Sequence, residues 1–348
     1  MGGARSVAPE STWMFREGAE APAIVRAQRQ RNAETIGDLA ERLRSSRPRA
    51  VVTLARGSSD HAATFARYLI ETRVGVLTSS ASPSVGSIYD STLDLAGTVV
   101  LAISQSGRSP DLLATAKQAS AQGALLVAMV NEEESPLAAM ANVVIPLSAG
   151  TERSVAATKS FIASLAATVH LLAAWTEDLG AEAALSELPE KLAEAWQLDW
   201  TAALPELGAA TSMFVIGRGH ALGVVQEAAL KLKETCAIQA EGLSAAEVRH
   251  GPMAVVRKDY PVLLFGQSDE SLESVASLAS EFASRGARVI SAGVAGAPGT
   301  VLPVVPADPL IAPILQIASF YRLANAVALS RGLDPDRPAH LTKVTETL

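Results

Sequence analysis

Cys236 is the only cysteine in 348 residues, so no internal disulfide can form and no CxxC or Cys/His zinc pattern exists. A reducing compartment is expected, with Cys236 as a small buried apolar residue. Aromatic residues are scarce as well, at 4% against 49% hydrophobic overall, which leaves Ala, Val, Leu and Ile to build the core. That mixture suits helices packed on a parallel sheet. No cluster of lysine or arginine occurs and the net charge is -7, which argues against nucleic acid or an anionic membrane as partner. Long apolar runs are missing: the longest uncharged stretch, 289–307, is broken by Gly293, Gly296, Pro298, Gly299, Pro303 and Pro306. With no apolar signal core at the N-terminus either, a cytoplasmic protein is expected. The histidines His61, His170, His220, His250 and His340 show no HxH or HxxxH spacing, so no metal is expected. "GRGHALG" (217–223) misses the GxGxxG spacing and "GKS" is absent, so no nucleotide or other cofactor is expected.

What is present is a plan that occurs twice. "VVTLARGSSDHAATFARYLIE" (51–71) and "SMFVIGRGHALGVVQEAALKLKE" (212–234) each read as a short β-rich run, Arg-Gly, and an amphipathic helix. Arg56-Gly57 and Arg218-Gly219 are 162 positions apart, and the same offset carries Gln105-Ser106 onto Gln267-Ser268. Within one residue of slippage, Gly123 also meets Gly286. Three landmarks in one order indicate a duplicated domain. Short strands alternating with helical segments imply βαβ units, so the fold class is α/β, with two tandem domains, each a parallel sheet flanked by helices on both faces. Ligands of such sheets bind beyond the carboxyl ends of the strands. Residues 1–20 read as a tail or weakly docked arm, 21–185 as domain one, 195–335 as domain two and 336–348 as a C-terminal tail. An alanine- and glutamate-rich helix within 178–197 joins the two domains.

"VVLAISQSGRSPD" (99–111) ends a buried strand on small hydroxyls and a glycine. Ser104, Ser106 and Ser109, together with backbone N–H groups at a helix N-terminus, form a phosphate-sized set of donors. An ordinary N-capped turn reads equally well from the loop alone. The second copy tips the balance, because it replaces Ser104 with Gly266 and Gly107 with Asp269, and a carboxylate there repels phosphate. One phosphate per pair of domains follows. In the second half, Glu227, Lys231 and Glu234 stand at i, i+4 and i+7 on one helical face. A solvated face is the bland interpretation, but the apolar filling between these charges argues for burial.

In these stretches the chain resembles the sugar isomerase (SIS) domain family, and specifically the isomerase half of glutamine-dependent fructose-6-phosphate amidotransferases. The matching segments are "ARGSSDHA" (55–62), "SQSGRSPD" (104–111), "TERSVAATKSF" (151–161), "EAALKLKE" (227–234), "AAEVRHGP" (245–252) and "HLTKVTETL" (340–348). The resemblance implies that Ser104, Gln105, Ser106 and Ser109 hold a sugar phosphate, and that Ser58, Ser59 and the backbone near Val155 and Ala156 line the sugar. It implies Glu234 as the base between C1 and C2, Lys231 as its neighbour, His250 as the ring-opening residue and Lys343 as a lysine near the carbonyl carbon, on a tail that closes the active site. In that family the histidine comes from the other subunit, so a homodimer is implied. Ala157 departs from the serine of the family motif, which removes one sugar contact. The chain also lacks the family's N-terminal glutaminase cysteine, so breakdown of glucosamine 6-phosphate to fructose 6-phosphate and ammonia is the expected reaction. Another amino-sugar phosphate, a fructosamine 6-phosphate, or a sensor without turnover are the alternatives.

Overall fold

The computed structural model describes residues 7–89 and 91–343. It divides into two units: one comprises Ala23–Thr151 and Lys159–Pro189, the other 7–22, Glu152–Thr158 and Glu190–Lys343. They are called the N-terminal and C-terminal units below. The Leu179–Gln197 helix passes from one to the other.

Strands of the N-terminal unit are β1 (Ala50–Leu54), β2 (Thr78–Ser80), β3 (Thr98–Ser104), β4 (Leu125–Val130) and β5 (Val143–Pro146). They form one parallel sheet in the order β2-β1-β3-β4-β5. Every residue of β3 is buried, because both faces are covered. Val100 and Ala102 pack with Leu112, Ala116 and Ala119 of the Pro110–Ala121 helix. The two-residue pleat sends Leu101 and Ile103 to the opposite face, where the Ser58–Leu69 helix crosses the sheet and meets the Lys159–Thr176 helix. The latter helix is apolar nearly all round, with buried residues from Phe161 to Trp175, as a helix enclosed in a core must be.

The C-terminal unit repeats this arrangement with β6 (Ser212–Gly217), β7 (Gln239–Ser244), β8 (Pro261–Phe265), β9 (Arg288–Ala292) and β10 (Thr300–Leu302). Its order, β10-β9-β8-β6-β7, is the same topology as that of the first sheet, again parallel throughout. The Leu272–Ser284 helix covers one face through Val275, Leu278 and Phe282. The Leu222–Cys236 helix lies along β6 and β7 and packs on the Ala312–Ser330 helix. Duplication extends to backbone angles: Gly57 and Gly219 have φ of +56° and +60°, and Gly123 and Gly286 have +79° and +77°. Two parallel α/β sandwiches of common topology thus account for the repeated sequence plan.

Residues 7–19 are more firmly held than a weakly docked arm. The Trp13–Ala19 helix is capped by Thr12, whose hydroxyl also bonds Asn325 at 2.8 Å, and Asp336 accepts the N–H groups of Trp13 and Met14, both at 2.7 Å. Phe15 sits edge-on to Trp196 with ring centroids 5.1 Å apart. These partners lie far along the chain, so nothing in the local pattern announces them. Cys236 is buried as expected, and burial pushes its thiol up to about 11.

Candidate active site

In the order β2-β1-β3-β4-β5 the chain reverses direction of winding between β1 and β3, and a parallel sheet opens a crevice at the carboxyl end of that switch point. The two serine-bearing loops of the N-terminal unit emerge there side by side. After β1, Gly57 takes a positive φ and starts the Ser58–Leu69 helix, so Ser58 and Ser59 occupy its first turn, both half-buried. After β3, Ser104 is buried and its Oγ accepts the Gly107 N–H at 3.0 Å, which curls the loop back on itself. Gly107 has φ +61°, and a Cβ there would fall 2.2 Å from Ser135 Oγ, so no side chain fits. The Gln105 carbonyl accepts the N–H groups of Asn131 and Glu132, each at 3.3 Å, and anchors the loop to the end of β4.

Ser109 is the N-cap of the Pro110–Ala121 helix, yet its side chain makes no capping bond. The loop leaves Ser106 and Ser109 half-buried at a helix N-terminus, where an anion is favoured. One clamp escapes sequence reasoning: Asp111, 1% exposed, receives Arg56 Nε at 2.9 Å and Nη2 at 2.8 Å. Both residues lie inside the matched motifs "ARGSSDHA" and "SQSGRSPD", but 55 positions separate them. The pair ties the β1 loop to the β3 loop.

In the C-terminal unit the Leu222–Cys236 helix carries the charged face anticipated from spacing. It is buried rather than solvated. Glu227 is 0% and Lys231 1% exposed, and Lys231 Nζ lies 3.1 Å from Glu227 Oε1 and 2.6 Å from Glu234 Oε2. Of the three, only Glu234 reaches the surface, at 21%. Burial acts to lower the lysine's pKa, but Glu227 and then Glu234 outweigh it and hold the ammonium above the ordinary lysine range. Tyr321, from the facing helix, donates its hydroxyl to Glu227 Oε1 at 3.1 Å. Burial first, and Glu227, Glu152 and Glu234 after it, keep this phenol neutral well above its usual range. Tyr321 is absent from any sequence-based list, because no motif marks a tyrosine 94 positions from its partner.

The Glu152–Thr158 segment belongs to this same unit. Glu17 accepts the N–H groups of Arg153 and Ser154, and the Arg153 guanidinium lies 4.3 Å from the centre of the Trp13 ring. The Val155 N–H is already given to the Asp336 carbonyl at 3.1 Å, and Ala156 is buried at 1%. Lys343 Nζ donates to the Ser154 carbonyl at 2.6 Å and lies 3.6 Å from Glu152 Oε2, while Glu152 Oε1 accepts the Thr158 N–H at 2.8 Å. Ser154 Oγ and Thr158 Oγ1 are buried without a hydrogen-bond partner among the described residues, two polar groups that sequence reasoning passed over. His250 stands apart. It ends the short Glu247–His250 turn, is exposed, and among the described residues makes no hydrogen bond or ion pair with Glu227, Lys231 or Glu234. The expected closing tail lies, beyond Lys343, outside the described residues.

Among the described residues no helix is long and apolar enough to cross a membrane. Comparison with known proteins agrees with the duplicated architecture. The SIS domain model matches residues 43–174 and 206–295. A glutamine–fructose-6-phosphate aminotransferase (isomerizing) of Gloeobacter violaceus is 34% identical over 312 residues, which cover 84% of this chain and 51% of the relative. The chain thus spans about half the length of the curated relatives it matches. A protein provisionally named a phosphosugar isomerase, from Silicibacter pomeroyi DSS-3, superposes with a TM-score of 0.89 at 43% identity, covering 93% of this chain and all (100%) of the other. The glucosamine-6-phosphate deaminase of Thermotoga maritima shares the fold, with a TM-score of 0.79 at 22% identity over 97% of this chain and 100% of its own. Matched twice by one domain model and built twice on one topology, the chain belongs to the SIS domain family.

Proposed function

We propose that this protein is an aldose–ketose isomerase of amino-sugar phosphates that converts glucosamine 6-phosphate and water to fructose 6-phosphate and ammonia. The observation that carries this reading is the buried Glu227–Lys231–Glu234 face, from which only Glu234 reaches solvent. Enclosing a lysine and two carboxylates is costly, and a carboxylate fixed at the margin of such a cluster suits general-base work. The Gloeobacter relative's name joins fructose 6-phosphate, an amino group and isomerisation.

On this reading the phosphate rests on Ser104, Gln105, Ser106 and Ser109, with Ser58 and Ser59 on the sugar hydroxyls. The backbone at Val155 and Ala156 lines the sugar; since the Val155 N–H is engaged, its contribution is the wall of the site and not a donor. His250 moves the proton between O5 and O1 to open the ring. Glu234 then takes the C2 proton and returns it to C1 while a proton of the C2 amine passes to O1, so the C1 aldehyde becomes an alcohol and the C2 amine an imine. Water adds to the imine, ammonia leaves and the ketone remains. Lys231 orients Glu234 through its 2.6 Å contact, and Lys343 stands near the carbonyl carbon. His250 is supplied by a second copy, consistent with its exposure and its separation from the charged face.

The test is ammonia release from purified protein given glucosamine 6-phosphate, with fructose 6-phosphate assayed in the same tube. Equal yields are expected. Glu234→Gln should abolish turnover while binding stays within a few fold. Mixing Glu234→Gln with His250→Ala should restore part of the activity if His250 crosses between copies. Absence of turnover with retained binding would instead mark a sensor, and release of amine only from a fructosamine 6-phosphate would mark a deglycase.

A further inference from the structure

The second domain repeats the loop that follows β3. After β8, the chain runs Gly266-Gln267-Ser268-Asp269-Glu270-Ser271 where the first domain has Ser104-Gln105-Ser106-Gly107-Arg108-Ser109. Its neighbour is repeated too: Gly219, which follows β6 as Gly57 follows β1, would place a Cβ 3.7 Å from Gln267 Nε2 and 4.0 Å from Ser271 Cβ. Counterparts of Gln105 and Ser109 are therefore assembled a second time, at the equivalent switch point, without the Ser104 hydroxyl, whose place Gly266 takes.

They are occupied. Asp269 Oδ2 accepts Gln267 Nε2 at 2.5 Å, and Asp269 Oδ1 accepts both the Ser271 backbone N–H at 2.9 Å and Ser271 Oγ at 2.5 Å. Gln267 and Ser271 are the counterparts of Gln105 and Ser109, and the carboxylate takes them as a phosphate oxygen would. Gln267 is 2% exposed, and it is its amide Nε2, the donor end, that Asp269 engages. In the first loop the same position is Gly107, where a side chain would strike Ser135. In the second, Gln316 Nε2 instead fastens the Gly266 carbonyl at 2.5 Å, and the altered path admits a side chain.

We infer that Asp269 is a built-in anion, filling a duplicated phosphate site that would otherwise bind a free one. The site becomes a functional phosphate site when that carboxylate is removed. This rests on the proposal that the first loop holds phosphate. It adds that the two domains differ by occupancy as well as by the Ser104 hydroxyl that Gly266 lacks, so the carboxylate of a single side chain keeps the remaining donors of the second loop from a phosphate. Glu270, exposed beside it, adds a weaker repulsion that solvent and salt screen.

Equilibrium dialysis of the full chain against radiolabelled inorganic phosphate tests this. Asp269→Gly should bind one equivalent more than the unmodified protein, and Asp269→Gly with Glu270→Arg should bind that equivalent more tightly. An isosteric Asp269→Asn should show no gain, because its amide still fills the space. A folded Asp269→Gly protein with unchanged stoichiometry overturns the inference. If the glycine variant unfolds, melting with and without phosphate decides: recovery of the folded state by phosphate supports the inference, and no recovery by phosphate of either Asp269→Gly or Asp269→Ser overturns it. The unmodified protein's own stoichiometry reports separately on the first loop, so failure of that assignment leaves the increment readable.

Discussion

The Tyr321 hydroxyl donates to Glu227 at 3.1 Å across two helices of the C-terminal unit, and Glu227 in turn lies 3.1 Å from Lys231 Nζ. Through this chain a tyrosine outside every motif fixes the carboxylate that, with Glu234, sets the position of the lysine.

Tyr321→Phe should therefore lower stability by about 1–3 kcal/mol, since a buried carboxylate loses a donor. Of the protein's four tyrosines, Tyr321 should ionise only on unfolding, because burial and the neighbouring carboxylates hold its phenol neutral. Ultraviolet titration of native protein should give the same phenolate amplitude for the unmodified chain and for Tyr321→Phe. A smaller amplitude in the variant would show that Tyr321 titrates in the fold.

Lys231→Met should cost about 3–5 kcal/mol, the range for breaking a buried ion pair by removal of one partner. The folded-state lysine is held above its unfolded value of about 10.4, so its contribution is fully present below that pH and fades as pH rises through the raised value. Urea denaturation of both proteins should give a constant stability difference from about pH 6 to 9, narrowing only above about 10.4. A difference that shrinks already near neutrality would mean that the ammonium is not held in this way.

Glu152→Gln keeps an oxygen for the Thr158 N–H but removes the charge facing Lys343. If Lys343 works near the carbonyl carbon, kcat should fall roughly tenfold, about 1.4 kcal/mol of transition-state stabilisation, with KM little changed. Amine-labelling of Lys343 should quicken at the same time. Unaltered kcat would leave Glu152 a purely structural partner of the loop.

Gly107→Ala combines a positive φ with a Cβ 2.2 Å from Ser135 Oγ. A stability loss of about 1–3 kcal/mol is expected, together with weakened binding of every sugar phosphate. Calorimetric titration with glucosamine 6-phosphate and with fructose 6-phosphate checks it. Loss confined to one sugar would move the phosphate away from this loop.

Much of the architecture is legible along the chain because duplication and periodicity are local properties. The 162-residue offset, the strand–turn–helix rhythm and the i, i+4, i+7 spacing of Glu227, Lys231 and Glu234 need no knowledge of long-range contacts. The folded chain shows the same topology in both sheets and the same positive φ at Gly57 and Gly219.

The partners of those residues are not legible. Arg56 with Asp111, Glu17 with the Arg153 and Ser154 N–H groups, Lys343 with Ser154 and Tyr321 with Glu227 join positions 55 to 189 residues apart. Whether the charged face is solvated or enclosed likewise depends on the Ala312–Ser330 helix lying over it, and so does the state of the lysine. Residue order sets what each segment prefers locally and which groups a helix face offers. Burial and pairing come from segments that meet only when the core closes, and in a low-dielectric interior those meetings decide which charges are held and how.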